Sequence, residues 1–189
     1  MSVEEIREYD SREQVVEALR QKRDLSGADL SGLDLSGIKL AGLNMAGADL
    51  RDANLDSAVL AASNMAGVDL GGARLNGARI AATNMADASL RGAQLGAAKI
   101  STANLAAVDL TEADLSESSW FGVNVSGADF SDARTTDARA RGVDWSQAKV
   151  PPAEIPEPIP SPPWLPALLA SIGVLLVVVI VLAKKRKRV

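Results

Sequence analysis

A large residue recurs at every fifth position for most of this chain. Leu25, Leu30, Leu35, Leu40, Met45, Leu50, Leu55 and Leu60 begin a series that runs to Trp145 and Val150. Of the 26 multiples of five from 25 to 150, 24 are Leu, Ile, Met, Val, Phe or Trp; Thr135 and Ala140 are the exceptions. No ordinary element tolerates that period. On an α-helix each fifth residue advances about 140°, so the leucines would smear around the axis. On a continuous strand, residues five apart point to opposite faces. A bend in every pentad removes both failures, because the centre and the residue two before it can then point inward together. Those earlier positions are small and apolar (Ala28, Ala48, Ala53, Val68, Ala73, Val108, Ala128). Two residues after most centres stands Gly, Asp or Ala, where a bend needs a permissive residue.

The number of bends per coil is written in the residues that precede the centres. Taking every fourth pentad gives Asp24, Asn44, Asn64, Asn84, Asn104, Asn124 and Asp144, a column holding five of the seven Asn. The next column is Asp29, Asp49, Asp69, Ser89, Asp109, Asp129 and Lys149. The third is mixed (Asp34, Asn54, Arg74, Gln94, Asp114, Arg134), and the fourth is Lys39, Val59, Arg79, Lys99, Ser119 and Arg139. Every third pentad yields no such ladder. The coil is therefore four pentads long, and the chain reads as an all-β solenoid of square section.

The pentads ADLSG (28–32), ADLRD (48–52), VDLGG (68–72), VDLTE (108–112), ADLSE (113–117) and ADFSD (128–132) resemble the pentapeptide-repeat proteins, across residues 24–150. The resemblance implies a right-handed quadrilateral β-helix with no catalytic position in common. It also implies that one function to test is inhibition of DNA gyrase by imitation of DNA. The chain departs from the family pattern in placing Leu or Met rather than Phe at most centres, and it weakens at 133–142.

Both ends of a solenoid expose strand edges that need covering. Residues 1–23 are expected to supply the first cover through a helix over about 11–22, with Asp10 as N-cap, Glu13 completing a capping box, and Val15, Val16 and Leu19 over the first coil. At the far end Trp120, Phe121, Phe130 and Trp145 are expected to fill the space that Thr135 and Ala140 leave. All eight prolines lie in 151–166. Proline serves a β-ladder poorly, so the solenoid is expected to stop at Val150 and residues 151–163 to form an extended stalk.

Residues 165–183 carry no charge and read as one transmembrane helix, within an anchor at 164–183. Trp164 suits the interface, and Lys184, Lys185 and Arg186 open a basic tail at 184–189. MSVEEIREYD is acidic and is no signal peptide, which favours a tail-anchored protein, single-pass, with a cytoplasmic solenoid. IPEPIP (155–160) resembles one type of bacterial sorting signal, a reading that would place the solenoid outside.

The chain has no His and no Cys, which removes imidazole bases, thiol nucleophiles and the usual zinc ligands. No enzyme activity, cofactor or metal is expected. Residues 24–150 carry 16 acidic and 10 basic side chains, net −6. The acidic ladder Asp29, Asp49, Asp69, Asp109 and Asp129 should lie opposite the partly basic fourth column. A DNA mimic would use such a ladder, but Lys39, Arg79, Lys99 and Arg139 oppose that reading, and so does the anchor. Nucleic acid is thus an unfavoured partner.

The flat, uncharged strip Asn44, Ala46, Asn64, Ala66, Asn84, Ala86, Asn104 and Ala106, with the adjoining Ala41, Ala61 and Ala81 edge, is the candidate site for a protein partner or a second copy of the chain. Stacked Asn could equally serve only to hold the coils together. The expected function is that of a membrane-anchored, non-catalytic scaffold or interaction module, with the DNA-mimicking inhibitor as the alternative.

Overall fold

The computed structural model describes residues 8–21 and 23–160. The chain divides into two units, residues 1–158 and 159–189. The first is a parallel β-solenoid with one short helix before it. Successive coils pair in the expected register: Asp24 faces Asn44, Asp29 faces Asp49, Asp34 faces Asn54, and Lys39 faces Val59. Leu25 N–H donates to the Asn44 carbonyl at 2.7 Å and Asn44 N–H to the Arg23 carbonyl at 3.0 Å, the slanted exchange of a parallel ladder.

Three of the four corners in each coil close in the same way, and the corners after Leu40, Leu60 and Ile80 lack that closing bond. Ala28 N–H closes onto the Leu25 carbonyl at 3.1 Å, and Gly27, third in that turn, has φ of 62°. A positive φ at that position is the mark of a type II turn. Every fifth residue from 27 to 142 shares it, and half of these 24 corners are not glycine (Asp52, Ala62, Ala82 and Glu112 among them). A left-handed non-glycine residue costs about 1 kcal/mol or more. The ladder above and below holds each corner against that cost.

The interior is filled. From Leu25 to Leu115 every centre is at most 3 % exposed, and the small residues two positions earlier pack between them. Fully burying each Leu contributes on the order of 2 kcal/mol, against a similar cost for ordering the backbone. No coil would therefore hold alone, and the neighbours supply what each lacks.

One flank differs from the other three. The fourth column forms true strands: β1 (Val59–Ala61), β2 (Arg79–Ala81), β3 (Lys99–Ser101), β4 (Ser119–Phe121) and β5 (Arg139–Arg141), joined by β6 (Glu157–Pro158) in one parallel sheet of sequential order. On the other flanks most coils meet at a single bridge. The cause is the residue before the centre. Asp or Asn there folds its side chain onto the N–H just after the centre, as Asp24 does with Ser26 at 2.9 Å and Asp49 with Arg51 at 3.0 Å. Where Arg74 and Gln94 stand instead, a side chain of the preceding coil takes that N–H: Asp56 accepts from Asn76 and Asn76 from Gly96. The fourth column has no such acceptor, so its backbone stays free to extend the ladder.

Both covers are present, each with a correction. Helix α1 runs Arg12–Gln21, with Val15 fully buried and Val16, Ala18 and Leu19 packed on the core. Its cap lies one residue later than Asp10 and Glu13. Ser11 Oγ accepts from Gln14 N–H at 3.4 Å, and Gln14 Oε1 reaches back to Asp10 N–H at 2.9 Å. Both pairs fit the spacing rule, and the helix start decided between them. Tyr9 N–H adds a bond to the Asp29 carbonyl, and Arg12 Nη1 bonds the Ser36 carbonyl at 2.7 Å, tying the helix to the first coil.

At the other end Trp120, Phe130 and Trp145 form a mutual cluster with centroids 5.5–6.1 Å apart. Trp120 lies in register with Ala140, whose small side chain leaves room for it. Phe121 does not join them. It follows a centre, so it points outward and is 52 % exposed.

The solenoid does not stop at Val150. Asp129 pairs with Val150 rather than Lys149, and the proline-rich chain then crosses the open end. Pro152 and Pro156 are buried, Thr135 Oγ1 donates to the Glu154 carbonyl at 2.6 Å, and Glu157 N–H donates to the Ala138 carbonyl at 3.0 Å. A terminal strand needs partners on one side only, so proline is tolerated where its missing N–H would face outward. Residues 151–158 therefore act as the second cover instead of a stalk. IPEPIP contributes the edge strand β6.

The run at 164–183, with Trp164, and the tail bearing Lys184, Lys185 and Arg186 lie outside the described residues. Among the described residues no helix is long and apolar enough to cross a membrane.

Candidate functional site

With the interior closed, what this domain can offer a ligand lies on its flanks. The first flank carries the Asn column. Each amide donates to the coil before it: Asn44 to Asp24 (3.1 Å), Asn64 to Asn44 (3.1 Å), Asn84 to Asn64 (3.1 Å), Asn104 to Asn84 (2.9 Å) and Asn124 to Asn104 (2.8 Å). Each carbonyl oxygen also accepts from its own turn, as Asn84 Oδ1 does from Ala86 N–H at 3.4 Å. The amides of Asn44, Asn64, Asn84 and Asn104 are thus engaged within the fold. What the strip presents outward is a flat surface bordered by the half-buried methyls of Ala46, Ala66, Ala86 and Ala106.

The second flank carries the acidic ladder. Asp29, Asp49, Asp69, Asp109 and Asp129 stack in register, and each accepts from the N–H two residues on at 2.9–3.0 Å. Much of the charge is answered locally. Arg51 bonds Asp49 and lies 3.8 Å from Asp69, Arg91 pairs with Glu112 at 2.6 Å, and Lys149 pairs with Asp129 at 3.0 Å. The Arg51 guanidinium holds the Asp49 carboxyl below its ordinary value. Bonds from Ser131, then from Lys149, hold Asp129 at about 2.

The third flank is also paired: Arg74 with Asp56 and Arg134 with Asp114. The Arg134 hydrogen bond brings Asp114 to about 2. These depressed values fix the sign of an acid response. A carboxyl that ionises more readily in the fold than in the open chain, where its value is near 3.9, stabilises the fold above that value. The contribution disappears as pH falls through the folded value. Stability should therefore decline between about pH 4 and pH 2. In denaturant melts across that range Asp114→Asn should shallow the decline; an unchanged slope would show that Asp114 has no part in it.

The fourth flank, the sheet β1–β6, has Lys39, Arg79, Lys99 and Arg139 exposed along one edge. Along the other run Ala41, Ala61, Ala81, Ser101, Phe121 and Arg141. The sequence pattern marks the basic edge but not Phe121 or Arg141 as surface elements. The period could have found both, since each follows a centre. Among the described residues no group of three or more acidic, His or Cys side chains is placed to hold a metal ion. A hollow of about 280 Å³ lies where the second cover meets the last coil, lined by Asp132, Arg134, Thr135, Ala153 and Glu154. It is a seam between packed segments, and its one ion-paired cation, Arg134, is already committed to Asp114.

A family model described as pentapeptide repeats matches the chain in eight copies, over residues 24–56, 53–92, 63–101, 88–119 and 98–137. The chain belongs to the pentapeptide-repeat family. Its family members are in general structural or interaction proteins rather than enzymes. Among solved structures it is similar to QnrB1, a plasmid-mediated fluoroquinolone resistance protein, at 20 % identity over 68 % of this chain and 73 % of that one, with a TM-score of 0.44. It is also similar to a pentapeptide repeat protein of the Arabidopsis thaliana thylakoid lumen, at 24 % identity over 64 % of this chain and 69 % of that one, with a TM-score of 0.41. A third is Rfr23 from the cyanobacterium Cyanothece 51142, at 18 % identity over 71 % and 99 %, with a TM-score of 0.36. No curated protein matches the chain.

Proposed function

We propose that this pentapeptide-repeat protein is a non-catalytic interaction module, held at a membrane by residues 164–183, whose solenoid flanks bind a protein partner or a second copy. The observation that carries the reading is the filled interior: the centres are buried against one another, and the polar chemistry lies on the surface. Pentapeptide-repeat membership supports it. The uncharged run at 165–183 with its basic tail supports the anchor and a single-pass, tail-anchored arrangement. A cytoplasmic placement of the solenoid is the arrangement to test, and digestion of the solenoid by protease added outside spheroplasts would overturn it.

The docking site in this reading is the Asn–Ala strip. Each amide already donates one hydrogen within the ladder and leaves the other for a partner's acceptor, and the strip's charge depletion suits an interface core. Ala66→Arg with Ala86→Arg puts two charges on that strip without touching a centre. The fold should persist by circular dichroism, while the assembly of the intact protein isolated from native membranes should lose its partner or second copy. Assembly of unchanged mass and composition would defeat the strip as the interface.

Imitation of DNA is the second reading, favoured by the in-register ladder of Asp29, Asp49, Asp69, Asp109 and Asp129. The ion pairs of Arg51 and Lys149 count against it, because they neutralise two of the five carboxylates that would have to resemble a polyanion.

A further inference from the structure

The ten cations of residues 24–150 divide by flank. Arg51, Arg74, Arg91, Arg134 and Lys149 each hold an ion pair. The other five, Lys39, Arg79, Lys99, Arg139 and Arg141, all stand on the sheet β1–β6 or on the rung that precedes it, and none has an ion-pair or hydrogen-bond partner for its side chain among the described residues. The buried Nη2 of Arg141 is itself unsatisfied. No carboxylate stands on the rungs from 39 to 141. Those nearest are Glu117 and Asp137 at the adjoining corner and Glu157 on the closing strand β6. From Lys39 to Arg139 the cations span five coil spacings, about 24 Å. The same flank carries Phe121, 52 % exposed, among alanines and Ser101.

We propose that this sheet lies against an anionic lipid surface, with the cations among the headgroups and the Phe121 ring at the acyl boundary. The cations stand in one row along an extended sheet, an arrangement that suits a charged plane better than a shaped ligand. An exposed aromatic ring beside unpaired cations is the pattern of interfacial binding. A second copy of the chain is a poorer occupant, since two of its five ladder carboxylates, Asp49 and Asp129, are already paired with its own Arg51 and Lys149. The inference rests on the membrane reading above, in which residues 159–164 separate β6 from the apolar run along the sequence. The acidic flank opposite would repel the same lipids and fix which side is turned to them.

Because the chain has no Cys, single labelling sites can be added to the full protein. Ser101→Cys reports the sheet and Thr111→Cys the opposite flank. Each is labelled with a fluorophore and reconstituted into vesicles of phosphatidylcholine, alone or mixed with phosphatidylglycerol, with a headgroup-attached quencher. In mixed vesicles quenching at position 101 should exceed that at 111 by about threefold or more. The excess should vanish in neutral vesicles, in about 1 M salt, and in the folded variant Lys39→Glu, Arg79→Glu, Lys99→Glu, Arg139→Glu. Equal quenching at both positions, or an excess that survives in neutral vesicles, would overturn the proposal. So would a signal that grows with protein-to-lipid ratio, which marks a second copy, or one displaced by duplex DNA, which marks nucleic acid. Retention on neutral vesicles through an alkaline wash reads the anchor separately. If the anchor fails, flotation with added mixed vesicles still decides: binding lost in the four-Glu variant supports the sheet, and no binding refutes it.

Discussion

Trp120→Ala should lower the stability of the solenoid by about 3–5 kcal/mol, the cost of removing a large buried aromatic side chain. Trp120 is fully buried in β4 and is the largest side chain of the interior. It meets Trp145 edge-on at 5.7 Å and Phe130 at 6.1 Å, and its indole Nε1–H donates to Ser118 Oγ at 2.8 Å. Its register neighbour on the next coil is Ala140, too small to fill the space left behind. The ladder holds that coil at a fixed spacing, so collapse into the cavity is restricted. Trp120→Phe keeps most ring contacts and loses the indole bond, so it should cost about 1–2 kcal/mol. Chemical denaturation followed by circular dichroism measures both. A loss below about 1 kcal/mol for the Ala variant would show that the aromatic cluster does not secure the last coils.

Leu70→Asp should abolish the fold. Leu70 is fully buried in the middle of the solenoid, with Leu50 and Leu90 as the centres of the coils on either side. The substitution gives up about 2 kcal/mol of burial and places a carboxylate where it has no partner, at a further cost of several kcal/mol. Together these approach the whole stability of an ordinary domain. Each coil is sealed by its neighbours, so a break here removes a cover from both halves. Leu70→Met should cost less than about 1.5 kcal/mol, because volume is kept; Met45, Met65 and Met85 already occupy such centres. The far-ultraviolet spectrum and thermal melt of both variants decide the matter. A folded Leu70→Asp protein with a melting profile like the parent would refute the packed interior.

The architecture was legible because each coil obeys the same local chemistry. The Asn column singled out four pentads per coil, and Asn44, Asn64 and Asn84 do bond one another across that interval. The corner residues were legible in part: Gly marks left-handed backbone at half of them, whereas Ala62, Thr102 and Glu112 carry no such mark and are held there by the ladder. The ends were harder. Asp10–Glu13 and Ser11–Gln14 are equally good capping patterns on paper, and only the contact of Arg12 with the Ser36 carbonyl and of Val15 with the core fixes where the helix begins. The prolines misled for a related reason. Their cost in a ladder depends on which side of the strand needs a donor, and a closing strand has one free side.

The candidate site divides in the same way. The sequence by itself determined the five-residue period, the four-sided coil and which column carries amide, acid or base, because those follow from side-chain types at fixed intervals. Which charges are answered was decided only by the tertiary structure. Arg51 and Asp69, Arg91 and Glu112, and Arg134 and Asp114 come from different coils, so their meeting depends on how the coils stack. The cations of the sheet have no ion pair among the described residues for the complementary reason: stacking in register brings Lys39, Arg79, Lys99 and Arg139 into one file with no acid among them.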